Sequence, residues 1–186
     1  MGVTAQPAAG PHPIYVAVGG NLPGPGGSTV AQTFAEAAAW LGTVGVESVE
    51  RSSLYVSPAW PPSDQPDYIN AVWQIEPGGS SAPGSAGALM ELLHAVESRF
   101  GRQREGAAAN APRTLDLDLI DYRGQVSAGP PILPHPRMDT RAFVLLPLAE
   151  IAPGWRHPVT RRTVADLVAA LPPDHGCVRL DPGNQA

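Results

Sequence analysis

Asp116 and Asp118 stand two residues apart inside the leucine-rich run Leu115–Ile120. Side chains of an extended strand alternate between faces, so both carboxylates share one face while Leu115, Leu117 and Leu119 share the other. Their β-carbons would lie roughly 7 Å apart, close enough for the two carboxylates to hold one or two hard cations. The competing reading is a solvated strand face whose charges deter edge pairing. Just upstream, in a glycine-containing loop, are Arg102, Arg104 and Arg113. Arginine forks beside an acidic pair suit a metal-bound polyphosphate, although a run of loop arginines can equally be a solvated surface.

A second group lies in the stretch DQPDYIN, where Tyr68 and Asn70 are again two apart and share a strand face. An aromatic plane with an amide beside it suits a flat heterocycle that stacks and hydrogen-bonds; a core tyrosine with a structural asparagine is the plainer alternative. Phe143, in RAFVLL, could supply a second ring face or simply belong to the core. His135, between Pro134 and Pro136, is held stiffly enough to contact phosphate or to cap a turn. His94 reads as a structural helix residue, and His12, His157 and His175 have no partner spacing.

These residues need a scaffold, and 186 residues with 43% hydrophobic and 16% charged content are enough for one domain with a real core. All 12 basic residues are arginine. That excludes lysine-based Schiff-base, P-loop and protein-kinase chemistry. The single Cys177 excludes an internal disulfide. A formal charge of -5 argues against nonspecific nucleic-acid binding. The N-terminus lacks the marks of a signal peptide, and the longest apolar stretch is too short to span a bilayer. A cytoplasmic monomer acting on small molecules is the expectation, with neither nucleic acid nor membrane as partner.

Period-two and helical patterning divides the chain into strands at Ile14–Val18, Val46–Tyr55, Tyr68–Glu76 and the aspartate run, with helices at Ser28–Leu41 and Ala88–Phe100. The order β-α-β-β-α-β predicts an α+β, ferredoxin-like antiparallel sheet with helices on one face. A C-terminal extension follows, with a proline-rich loop and a helix near Val164–Leu171. Residues 1–12 read as a flexible lead-in, 13–172 as the domain and 173–186 as a tail.

The stretches VAVGGNL, SSLYVSPAW, DQPDYIN, PRTLDLDLIDY and LPHPRMDTRAFVLLPLAEIAP, in this order and spacing, resemble the 6-hydroxymethyl-7,8-dihydropterin pyrophosphokinase family of folate biosynthesis. The resemblance covers about Ile14 to Pro158 and implies transfer of the terminal diphosphate of ATP to the pterin's hydroxymethyl oxygen, with release of AMP. It implies that Asp116 and Asp118 bind two Mg²⁺ ions, and that Arg102 and Arg113 act on the phosphates. By the same resemblance Tyr68 and Phe143 sandwich the pterin, Asn70 meets its edge, and Ser57 and Pro58 complete that pocket. Glu97, Arg104, Arg113, His135 and Arg141 match positions around the nucleotide. Three departures stand out. Gly19-Gly20-Asn21 replaces the usual Gly-Ser-Asn. Ala109 and Asn110, in GAAANAP, stand where an arginine and a tryptophan are common. Pro130 occupies a place where many members have arginine. A non-catalytic or very slow pterin- or nucleotide-binding homologue is therefore the competing reading, and an RNA-binding module is disfavoured by the charge and by the acidic strand face.

Overall fold

Ile14, Val16 and Val18 alternate with Tyr15 and Ala17 along the first apolar run, and the two sets lie on opposite faces of one sheet. The computed structural model describes residues 12–79, 82–102 and 111–181. Within them the order is β1 (Ile14–Gly20), α1 (Val30–Thr43), β2 (Val46–Arg51), β3 (Tyr55–Ser57), β4 (Tyr68–Pro77), α2 (Ala86–Arg99), β5 (Asp116–Tyr122), α3 (Ala142–Ile151), α4 (Val164–Ala169) and β6 (Val178–Arg179). Strands β5, β1, β4, β3 and β6 lie side by side in that order, and β2 also pairs with β4. All these pairings are antiparallel. The fold is the expected ferredoxin-like α+β arrangement.

On the first face, Ile14, Val16, Val18, Trp73, Leu117 and Leu119 pack against Phe34 and Leu41 of α1 and Leu89, Leu93 and Val96 of α2. Fully burying an aliphatic side chain contributes about 1.5–3 kcal/mol, so this face dominates stability. On the second face, Tyr15, Val72 and Ile120 pack against Val144, Leu145 and Leu148 of α3 and Val164 and Leu167 of α4. Helices thus cover both faces: the ferredoxin-like pair one side, the pair from the C-terminal extension the other. A bulge in β5 makes this possible. Tyr15 pairs with Asp121 but Val16 with Leu119, so Ile120 is the extra residue. It enters the second core, while Tyr122 returns to the first.

The strand expected over Val46–Tyr55 is two strands. Ser52 Oγ accepts from Val72 N at 3.0 Å, taking the place of a backbone acceptor, and the chain steps off the ladder before β3. Helix α1 is capped by Thr29 rather than Ser28, through a reciprocal box with Gln32. Ser85 caps α2, which therefore begins two residues before the expected start. Helix α3 was not expected: Pro147 sits inside it and apolar residues surround it, as in a buried helix without an amphipathic stripe. The segment read as a tail contributes β6, paired with β3. Residues 1–11 and 182–186, most of the expected lead-in and the end of the tail, lie outside the described residues.

Candidate active site

Helices α3 and α4 cover only part of the second face, and beyond them the sheet presents small and polar side chains. Val72 pairs with Ala17 and Ala17 with Asp118; one row further on, Asn70 pairs with Gly19 and Gly19 with Asp116. Both aspartates and Asn70 therefore share the face that carries α3, with Tyr68 one alternation beyond Asn70. A β-carbon at Gly19 would stand 3.4 Å from Asn70 Oδ1 and 4.0 Å from Asp116 Cβ, so the glycine leaves a hollow between them.

The arginines attach to the acidic pair unequally. Arg102 Nη1 bonds both Asp116 Oδ1 and Glu97 Oε1, and Arg113 Nη1 reaches Asp116 Oδ2 at 2.6 Å. Among the described residues, the ion pair of Asp118 is with Arg141, at 3.9 Å. Burial opposes charge on Asp116, but the Arg113 and Arg102 guanidiniums outweigh it and hold its carboxyl below the usual range. Burial and the neighbouring Asp116 push Asp118 above its usual range, against the pull of His135 and Arg141. Among the described residues, positive charge is sparser around Asp118 than around Asp116, and a cation there would be stabilising. For His135, burial outweighs the attraction of Asp118, and Arg141 and Arg137 add to the lowering, so its imidazole titrates below the ordinary value. Its Nδ1 accepts from Arg137 N at 3.2 Å. The neutral ring thus carries its proton on Nε2, as a donor.

Glu97, matched by resemblance to the nucleotide, is 0% exposed. Its Oε1 accepts from Leu117 N at 2.7 Å on the outer edge of β5 as well as from Arg102. Its visible work is to anchor Arg102 and cover that strand edge. Arg104 lies outside the described residues.

The ring-binding candidates stand at the end of β3 and β4. Ser57 pairs with Tyr68. Asn70 Nδ2 donates to Ser57 Oγ at 3.0 Å and to Tyr68 O at 3.2 Å, while its Oδ1 takes no hydrogen bond from the described residues. The buried amide can therefore offer an acceptor to a ring N–H. Tyr68 and Phe143 are both half-buried, and Arg141 lies 5.4 Å from the centroid of Phe143.

Asn21, which the sequence offers only as the last residue of the Gly19-Gly20-Asn21 motif, is a hub. Its Oδ1 accepts from Arg113 N at 2.9 Å, and its Nδ2 donates to Pro66 O at 3.0 Å and Gln65 Oε1 at 3.3 Å. It thereby ties the Arg113 segment to the loop before Tyr68. Gly20 beside it has a steric reason: a β-carbon there would stand 2.6 Å from Thr114 O, a backbone atom. Gly20→Ser, which restores the residue common in the resembling family, should destabilise this chain by about 1–3 kcal/mol through displacement of the Arg113–Asp116 backbone. Urea unfolding checks this, and an unchanged midpoint would mean that Thr114 yields without cost.

The family model for 7,8-dihydro-6-hydroxymethylpterin-pyrophosphokinase matches residues 15–153. A Synechocystis protein named 2-amino-4-hydroxy-6-hydroxymethyldihydropteridine pyrophosphokinase is 40% identical over 158 residues, which cover 84% of this chain and 75% of that protein. A Pseudomonas aeruginosa protein of the same name is 37% identical, covering 86% and 91%. A Haemophilus influenzae protein of that name is 34% identical, covering 90% and 98%.

Proposed function

The chain belongs to the 7,8-dihydro-6-hydroxymethylpterin-pyrophosphokinase family, and we infer from this that it transfers diphosphate from ATP to hydroxymethyldihydropterin in folate biosynthesis. The observation that best supports this reading is the shared sheet face carrying Asp116, Asp118 and Asn70, with Arg102, Arg113 and Arg141 beside the aspartates.

The hydroxymethyl oxygen bonds to the β-phosphorus as the bond from that phosphorus to the α–β bridging oxygen breaks; AMP leaves with that oxygen, and the hydroxyl proton passes to water. Asp116 and Asp118 fit two Mg²⁺ ions. Their oxygens are hard donors, and Mg²⁺ is commonly held by one or two carboxylates plus substrate phosphates rather than by a protein cage. The arginines occupy only some of the lone pairs on Asp116, which leaves others for coordination. When bound, the ions would neutralise charge on the phosphate oxygens. Arg102, Arg113 and Arg141 hold the remaining oxygens, and His135 Nε2–H donates one further bond. Tyr68 and Phe143 flank the pterin, Asn70 Oδ1 accepts from its edge, and Ser57 and Pro58 close the pocket. Glu97 acts through Arg102, and Arg104 adds a further phosphate contact.

Release of AMP from MgATP that depends on the hydroxymethyl pterin tests the activity directly; release at the same rate without pterin would overturn it. Tyr68→Ala and Phe143→Ala separate the two halves of the site. Each removes a ring contact worth about 0.5–1.5 kcal/mol beyond burial, so pterin affinity should fall roughly tenfold while affinity for a non-hydrolysable ATP analogue stays level. Calorimetry that finds equal losses for both ligands would contradict the ring sandwich.

A further inference from the structure

Residues 154–181 lie beyond the stretch matched by the family model, and their last strand touches both sides of the proposed ring pocket. Val178 and Arg179 pair with Val56 and Tyr55, and Leu180 N donates to Leu54 O at 2.8 Å. The partner strand, β3, is only three residues long and ends at Ser57. Just before β6, Gly176 has a φ of +67, and a β-carbon there would meet Pro58 Cδ and Cγ at 3.1 Å. Cys177 is buried with Tyr55 and Ala142, and Phe143 packs against this group.

Polar contacts tie the same elements together. Arg179 Nη2 donates to Ser53 Oγ at 2.7 Å and lies 3.5 Å from Glu150 Oε1 on α3. Glu150 accepts from Ser53 N at 3.1 Å, Ser53 Oγ at 2.7 Å and the Tyr55 hydroxyl at 2.9 Å. Burial and the bond to Glu150 push the Tyr55 hydroxyl up to about 12, so it remains a donor at physiological pH. The first turn of α3, which carries Phe143, has no side-chain cap of its own. Its place relative to β3 must come from tertiary contacts such as these.

We propose that the C-terminal strand is a positioning element for the pterin pocket, with Gly176 and Arg179 as positioning residues that fix Pro58 against Phe143 without touching substrate. The proposal rests on the pterin reading of that half of the site. A flat ring is held between two surfaces only when their separation is right, and a displacement near 1 Å can cost up to about a hundredfold. The strand grips the Pro58 side and the Phe143 side at once, whereas it makes no described contact with Asp116, Asp118 or their arginines.

Steady-state kinetics on full-length Arg179→Ala, Arg179→Lys and Gly176→Ala variants test this. Arg179 is 59% exposed at its side chain, so its ion pair should contribute little to stability and the alanine variant should melt close to the parent. The expected result for Arg179→Ala is a pterin KM about five- to tenfold higher, with ATP KM and kcat within about twofold. Arg179→Lys should recover part of the loss, and Gly176→Ala should move pterin KM further in the same direction. The proposal is overturned if Arg179→Ala leaves pterin KM unchanged, or raises both KM values together, as general loosening would. If the parent shows no pterin-dependent AMP release, the assigned reaction itself fails and takes this inference with it.

Discussion

Asp118→Asn should abolish measurable diphosphate transfer, a loss of at least about a thousandfold, while leaving the protein as stable as the parent or slightly more so. The two effects separate because Asp118 contributes little to the fold. Its side chain is 39% exposed, its ion pair among the described residues is 3.9 Å long, and burial beside Asp116 holds its carboxyl above the ordinary range. Neutralising it relieves that repulsion. Yet the same carboxylate is proposed to hold a metal in a charge-neutralising role worth several kcal/mol, and each 1.36 kcal/mol is a factor of ten in rate. Asp116→Ala should be equally inactive but less stable, because it removes an acceptor shared by Arg102 and Arg113. Single-turnover rates and urea midpoints in metal-free buffer distinguish the two. Near-parental turnover in folded Asp118→Asn would remove it from the reaction, and a large loss of stability would mean that it is structural.

Much of this geometry was legible before any coordinates. Strands β4 and β5 are long, so the shared face of Asp116 and Asp118 and that of Tyr68 and Asn70 followed from alternation, whereas the strand register through β1 was needed to bring the two pairs onto one face. Roles for Tyr68 and Phe143 came from the family resemblance, since alternation alone cannot tell a stacking ring from a core ring. The supporting contacts were not legible. Asn21 and Arg113 lie 92 residues apart in the chain, and only the β1–β5 pairing brings them together. Glu97 looks like any acidic residue near a helix end until α2 crosses the outer edge of β5. Strand β6 is two residues long and has no pattern to read. The departures at Ala109 and Asn110, which motivated the reading as a slow homologue, lie outside the described residues.

Arg102→Ala should destabilise the fold by about 1–3 kcal/mol, although Arg102 is proposed to act on phosphate. The cause is its partner. Glu97 is fully buried, and removing the guanidinium takes away one of its hydrogen-bond partners where solvent cannot replace it. Asp116, at 20% exposure, loses the same contact but keeps Arg113 and some water. The imbalance predicts a specific rescue. In the double variant Arg102→Ala with Glu97→Gln, the side chain facing the deleted guanidinium is neutral, while the amide oxygen can still accept from Leu117 N. Most of the lost stability should return and turnover should not, since the arginine proposed to act on phosphate is still missing. Glu97→Gln alone should keep Leu117 protected from hydrogen exchange and lower turnover moderately, through a less firmly held Arg102. A double-mutant cycle in urea measures the coupling directly. Additive losses, with no recovery on adding Glu97→Gln, would show that the pair does not act as one unit and that the cost of Arg102→Ala arises at its other contacts.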